Sequence, residues 1–343
     1  MAGLVAAARA RELGAEPRLV EKLDRAGGSM RLSSGVIWRH REFERFRKDC
    51  PGGDERLQRL VFERLDEGIR WLESLGAPVV EPETGNPLTT GVRFDPAGLA
   101  GALLEAAGEV RLREPLREPP QDGTPLVLAT GGFQADRELL REHVTSEADE
   151  LLLRAAPGST GDGLRIGLGA GARPSVGMEE FYGRNMPAQP ARVGERDFVR
   201  LAQLYARHAE VRSERGERYE ARTWSEVDVV QWTARQPRAR AWFRVRESDL
   251  GERVRDRTVG EMVEAAASAG APVRREAGAV AVETVAGITA TLGGLRVDDR
   301  ARAAPGLFAC GGDVGGIATG GWSSGLGAAL VLGRVAAESA LGI

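Results

Sequence analysis

Lysine is almost absent from this chain. Of 47 basic residues in 343 only Lys22 and Lys48 are lysine, so a solitary arginine carries little information about function. Cysteine is also scarce: Cys50 and Cys310 stand far apart, which excludes a disulfide framework and any cysteine metal spacing and points to a reducing compartment. Three histidines, His40, His143 and His208, lie scattered in polar contexts without metal-ligand spacing, so no metal is expected. No charge of one sign dominates. A net charge of -3 supplies no field to gather nucleic acid or a membrane surface. No stretch reaches the roughly 18 uncharged apolar residues of a spanning helix, so no membrane insertion is expected. The alanine-rich start is broken by Arg9, Arg11 and Glu12, unlike a secretory signal. These absences leave a cytoplasmic enzyme working on a small molecule as the expectation.

Glycine, by contrast, is abundant at 45 residues, and its placement is informative. Near the C-terminus, Gly306 to Asp313 reads as a small-residue strand running into the Gly311-Gly312-Asp313 turn. Gly320 to Arg334 reads as a glycine turn opening an apolar helix at Ser324-Gly325-Leu326. Unpaired amides at a helix start suit an anionic or polarised ring edge, Asp313 can accept from a sugar-like hydroxyl, and glycine lets backbone approach a flat ring. Together they suit the isoalloxazine and ribityl end of a flavin.

The other end of the chain fits the same cofactor. Residues 1 to 13 form a helix stopped by Gly14, and Pro17 to Lys22 a short strand ending in an acid. This is the second half of a dinucleotide-binding unit, with Gly3 as the last glycine of its fingerprint and Glu21 taking ribose hydroxyls. The fingerprint's first strand and first two glycines are absent. That predicts either a longer chain whose start lies upstream of Met1 or a truncated relative.

Further ligand loops follow in order. Gly27-Gly28-Ser29 through Ser34-Gly35 is a glycine and hydroxyl loop suited to phosphate or ribityl oxygens. Leu57, Leu60, Val61, Leu65, Ile69, Leu72 and Leu75 predict a scaffold helix over 54–75, ended by Gly76, and Asp95 to Ala107 another, followed by a short strand at Glu109–Leu112. An apolar strand from Thr124 enters Ala129-Thr130-Gly131-Gly132, where an α/β sheet passes backbone beneath a ligand. Thr160-Gly161-Asp162 opens one more helix.

These segments, with Arg215 to Tyr219 and Thr291 to Leu295, occur in the order and about the spacing of one family. The chain resembles the FAD-binding flavoproteins that include fumarate reductase, succinate dehydrogenase and 3-ketosteroid dehydrogenase. The resemblance covers nearly the whole sequence. It implies an α/β fold: a doubly wound, Rossmann-like FAD-binding domain in two pieces, 1–177 and 286–343, lacking its first strand, and an inserted α+β capping domain, 178–285. It implies FAD as cofactor, held by Gly3, Glu21, Lys22, Gly28, Ser29, Ser34, Gly35, Ala129, Thr130, Gly131, Gly132, Thr160, Gly161, Asp162, Gly312, Asp313, Ser324, Gly325 and Leu326. The implied reaction is hydride transfer between flavin N5 and a carbon-carbon bond beside a carbonyl or carboxylate, with an unspecified electron partner.

Departures from the family are as telling. Where the fumarate reductases carry a catalytic arginine, this chain has Glu226, whose charge would repel a dicarboxylate. Their substrate histidines and late arginine are matched by Thr289 or Ala290, by Arg184, and by Trp322 or Ser323. Fumarate is therefore not the expected substrate. What remains is Tyr182, Arg184, Arg222, Glu226 and Trp322, more aromatic and less cationic, suited to an enone or enoate-like molecule, with Tyr182, Arg184, Arg222 and Glu226 as catalytic candidates. Residues 113–124 are proline-rich and too short for the β-hairpin of relatives. The rival expectation is a truncated, catalytically decayed paralogue acting as a binding protein.

Overall fold

A computed structural model describes residues 1–221 and 226–343, which divide into two compact units. The first comprises Met1–Asp136, Ala155–Glu180 and Ala290–Ile343, the second Arg137–Arg154 and Phe181–Thr289.

In the first unit the helix Ala2–Glu12 buries seven residues, Leu4, Val5 and five alanines. Small side chains let it lie very close to the helix Gly325–Ala340, where a Cβ on Gly333 would meet the Ala2 carbonyl oxygen at 2.8 Å. Strand Leu19–Glu21 pairs in parallel with Val110–Leu112, and Leu126–Leu128 pairs in parallel with Leu307–Ala309, whose other edge takes Arg302–Ala304 antiparallel. A separate antiparallel sheet orders Val36–His40, Thr89–Phe94 and Val79–Glu81. The scaffold helix runs Glu55–Ser74, capped by Asp54, which accepts from the Arg56 and Leu57 amides. Of its expected stripe, Leu57, Val61, Leu65, Ile69 and Leu72 are buried, while Leu60 and Leu75 are half-buried. The helix Pro96–Ala107 has Asp95 as its cap, and residues 113–124 form no strand.

Charged side chains pin these helices together. Glu338 accepts from Arg9 Nε at 3.0 Å and Arg64 Nη1 at 2.9 Å, and nearly buried Arg334 donates to Glu67 at 2.6 Å. Burial pushes the Glu338 carboxyl up, but Arg64 and Arg9 outweigh it and hold it below its ordinary 4.5. A depressed folded-state value stabilises the protein above the unfolded value and is lost as pH falls through the folded one. The stability gap between wild type and Glu338→Gln, measured by urea denaturation, is therefore expected to be constant at neutral pH and to shrink below about pH 4.5.

The second unit is built on the long strand Ala279–Thr291. Its sheet runs Val273–Glu276, Ala279–Thr291, Arg240–Arg246, Ala209–Arg212, and Phe181–Pro187 and Leu152–Leu153 also pair with the long strand. That last pairing explains why residues 137–154, outside the insertion expected from sequence, fold with it. The helix Val259–Ser268 starts with a reciprocal cap between Thr258 and Glu261, and Phe181, Met186, Leu201, Tyr205, Phe243 and Val263 fill the core. Among the described residues no helix is long and apolar enough to cross a membrane, and no His, Cys, Asp or Glu group is arranged to hold a metal ion.

Candidate cofactor and substrate sites

The glycine segments of the first unit converge on one carboxylate. Asp313 is 1% exposed, and its oxygens accept from the Thr130 hydroxyl at 2.8 Å and from the Thr130 amide. Burial pushes this carboxyl up against the pull of those donors. Thr130 in turn accepts from the Gly163 amide at 2.9 Å, and the Gly161 amide donates to the Gly132 carbonyl at 2.9 Å. Ala129–Gly132, Thr160–Gly163 and Gly312–Asp313, separate in sequence, thus form one network. Asp313, expected to accept from a sugar hydroxyl, takes one donor of Thr130 on each oxygen and so ties these turns together.

Of the other expected cofactor residues, Gly3 and Lys22 adjoin that network. Ala2 and Gly3 pack on it, a Cβ on Gly3 lying 3.2 Å from the Ala129 methyl. Lys22 Nζ reaches the Thr160 hydroxyl and the Asp162 carboxylate, each at 2.6 Å. Glu21 accepts the Leu23 amide at 2.9 Å with one oxygen, leaving the other for a hydroxyl. Ser29 accepts from the Ala156 amide at 3.0 Å, and Ser34 accepts from Arg93 through its carbonyl. Ser324 caps the last helix by accepting from Gly327 at 3.0 Å, so the Gly325 and Leu326 amides stand at the helix opening without intrahelical acceptors. Gly35 has a packing reason instead: its φ is 75° and a Cβ would collide with the Phe94 carbonyl.

Do these groups fit a flavin dinucleotide? Gly28 has φ 53° and a side chain there would meet no protein atom within 4 Å, so the loop's glycine leaves open space where a phosphate needs backbone amides. An acid at a strand end, bare amides at a helix opening and that empty cradle are the donor and acceptor set that ribose, ring edge and phosphate require. They fit. A model of the FAD binding domain family matches residues 1–105 and 98–330. The chain belongs to this FAD-binding family.

FAD is accordingly the cofactor of this flavoprotein. No curated protein matches the sequence. Among solved structures, the flavin-family fold is similar to a flavocytochrome c3 fumarate reductase at 19% identity, covering 99% of this chain and 76% of that one with a TM-score of 0.71. It is also similar to 3-ketosteroid-Δ4-(5α)-dehydrogenase from Rhodococcus jostii RHA1 at 18% identity, covering 99% and 94% with a TM-score of 0.68. A third is 3-ketosteroid Δ1-dehydrogenase from Sterolibacterium denitrificans, at 15% identity, 99% and 98% coverage and a TM-score of 0.72.

In the second unit of this flavoprotein, strand Phe181–Pro187 places Tyr182 and Arg184 on one face, two residues apart. The Arg184 guanidinium lies over the Tyr182 ring, 4.8 Å from its centroid. Burial raises the Tyr182 phenol, but Arg184, Arg154 and Arg255 together bring it below its ordinary value of 10.0. Arg154 and Arg255 escaped the sequence reading. Arg154 follows strand Leu152–Leu153, far from Tyr182 in sequence, and Arg255 sits in the turn of the Arg253–Thr258 hairpin at φ 61°. The surroundings of Tyr182 are therefore more cationic than the sequence suggests. Glu226 precedes the helix Val227–Ala234 without a side-chain cap bond and accepts from the Ala206 amide at 3.4 Å; burial raises its carboxyl, with Arg184 pulling the other way. Arg222 lies outside the described residues, and Trp322 belongs to the first unit.

Proposed function

We propose that this flavoprotein is an oxidoreductase acting on a carbon-carbon bond next to a carbonyl or carboxylate, on an enone or enoate-like molecule other than fumarate. The first unit is assigned to FAD and the second to substrate. When bound, FAD supplies or accepts the hydride. Adding or removing hydrogen across such a bond also requires a proton at the neighbouring carbon and relief of negative charge on the oxygen. Tyr182 is the group proposed to move the proton, and Arg184, stacked on its ring, the group proposed to hold the oxygen. That pairing on one strand face is the observation that carries the reading. Glu226, held above the usual carboxylate range by burial, can return a proton to the site. Reoxidising or rereducing the cofactor needs a separate electron partner, which the reading leaves open.

The purified chain is expected to take up added FAD, developing oxidised-flavin absorbance that bleaches with a substrate and dithionite-free donor pair in an anaerobic screen. A chain that stays colourless would instead favour the decayed-paralogue reading. Tyr182→Phe is expected to keep the flavin absorbance while lowering kcat by about 10²- to 10⁴-fold, the usual worth of a positioned acid or base. Stopped-flow flavin reduction would check this, and an unchanged rate would remove Tyr182 from the mechanism.

A further inference from the structure

Surface arginines of this chain are commonly matched by acids, as Arg59 is by Glu55 at 3.0 Å and Arg93 by Glu81 at 2.7 Å. One hollow of the first unit breaks that pattern. It is an open cleft of about 310 Å³ lined by Arg56, Arg173, Arg296 and Arg302, with Asp298, a glycine, a valine and an alanine completing it. Among the described residues Arg173, Arg296 and Arg302 have no carboxylate within ion-pair distance, and only Arg56 is matched, by Asp54 at 3.1 Å. Backbone bonds hold these positions together. The Arg296 amide donates to the Arg173 carbonyl at 2.8 Å, and Arg302 pairs with Phe308 in the sheet. Asp298 is already committed, since one of its oxygens accepts the Arg300 and Arg302 amides, both at 2.9 Å. Three unmatched guanidiniums against that one carboxylate leave a formal charge of +2 in a chain whose net charge is -3. No residue expected to hold FAD lines the cleft.

We propose that this cleft is a second anion site, separate from the cofactor's, that takes a polyphosphate chain, free or carried by a nucleoside. Guanidinium forks match phosphate oxygens two at a time, and the arginines around the hollow can grip successive phosphates of one chain. A lone carboxylate would answer only part of the charge, whereas a phosphate group carries roughly -1.5 to -2 at neutral pH. An apolar ligand would find almost no apolar wall. An acidic protein surface would meet the same charges, but a concave hollow at the small end of ligand-cleft volumes favours a compact molecule.

The test titrates the full chain with metal-free pyrophosphate, ATP and a polyglutamate peptide by calorimetry, in excess FAD so that the cofactor's own phosphate loops are filled. Pyrophosphate is expected to bind. Arg173→Ser, Arg296→Ser and Arg302→Ser, all at exposed positions where folding is not at risk, are each expected to weaken it about three- to tenfold, as for partly screened charge pairs, and to leave flavin absorbance unchanged. Arg117→Ser, in the exposed proline-rich segment, is the control and is expected to leave binding as it was. ATP binding at least as tightly as pyrophosphate assigns the site to a nucleotide, and weaker ATP binding assigns it to free polyphosphate; both support it. Binding of neither, binding that the three cleft variants leave untouched, or an equal loss in Arg117→Ser overturns the proposal. Polyglutamate binding as tightly as pyrophosphate also overturns it, in favour of an acidic protein partner.

Discussion

Asp313→Ala is expected to lose bound FAD and about 3 kcal/mol of stability, a large share of the roughly 5–15 kcal/mol that a folded protein holds in reserve. The carboxylate is almost inaccessible to water and accepts both the amide and the hydroxyl of Thr130. Removing it strands those donors in a dry site, each at about 1–3 kcal/mol before relaxation. The same change removes the acceptor that orients the Thr130 hydroxyl toward the Gly163 amide, so the start of helix Asp162–Gly169 is expected to loosen as well. Asp313→Asn keeps one accepting oxygen but turns an N–H₂ toward the donors, and it is expected to fall between wild type and alanine. Flavin absorbance after gel filtration, alongside urea unfolding, checks both effects. A stable Asp313→Ala protein that retains yellow colour would show that the three turns hold one another without the acid.

Gly35→Ala is the second large effect, and it is expected to be the same with and without FAD. Alanine at φ 75° costs about 1–2 kcal/mol, and its methyl must also displace the Phe94 carbonyl, whose own amide donates to Gly35 at 3.0 Å. The sum is about 3 kcal/mol or more, because the sheet Val36–His40 and Thr89–Phe94 must separate at its first pair. Gly28→Ala offers the contrast: its surroundings are open, so backbone strain alone gives a small loss of stability, while FAD affinity is expected to drop. Equal losses of stability at the two positions would argue that both loops are scaffold.

The contrast also marks what sequence could reveal. Apolar stripes and breakers are local, so Gly76 and the helices over 54–75 and 95–107 were legible, as were the glycine turns at the ends of strands Leu126–Leu128 and Leu307–Ala309. Family order then joined those turns into a flavin site. Three other features are long-range. The Leu152–Leu153 pairing depends on a partner strand more than a hundred residues later, so nothing near it announces its unit. The bonds of Asp313 to Thr130 join segments 183 residues apart, which no local pattern announces. In a chain with so much arginine, Arg154 and Arg255 carried no signal until the fold set both beside Tyr182.

The ion pair between Lys22 and Asp162 has one more consequence. Because the chain contains only one other lysine, exposed Lys48, side-chain amine chemistry has almost nowhere else to act. Acylation or carbamylation, which most proteins absorb harmlessly across dozens of surface amines, here falls either on Lys48 or on the cofactor loop itself, where it would cancel the charge that Asp162 and Thr160 were placed to hold.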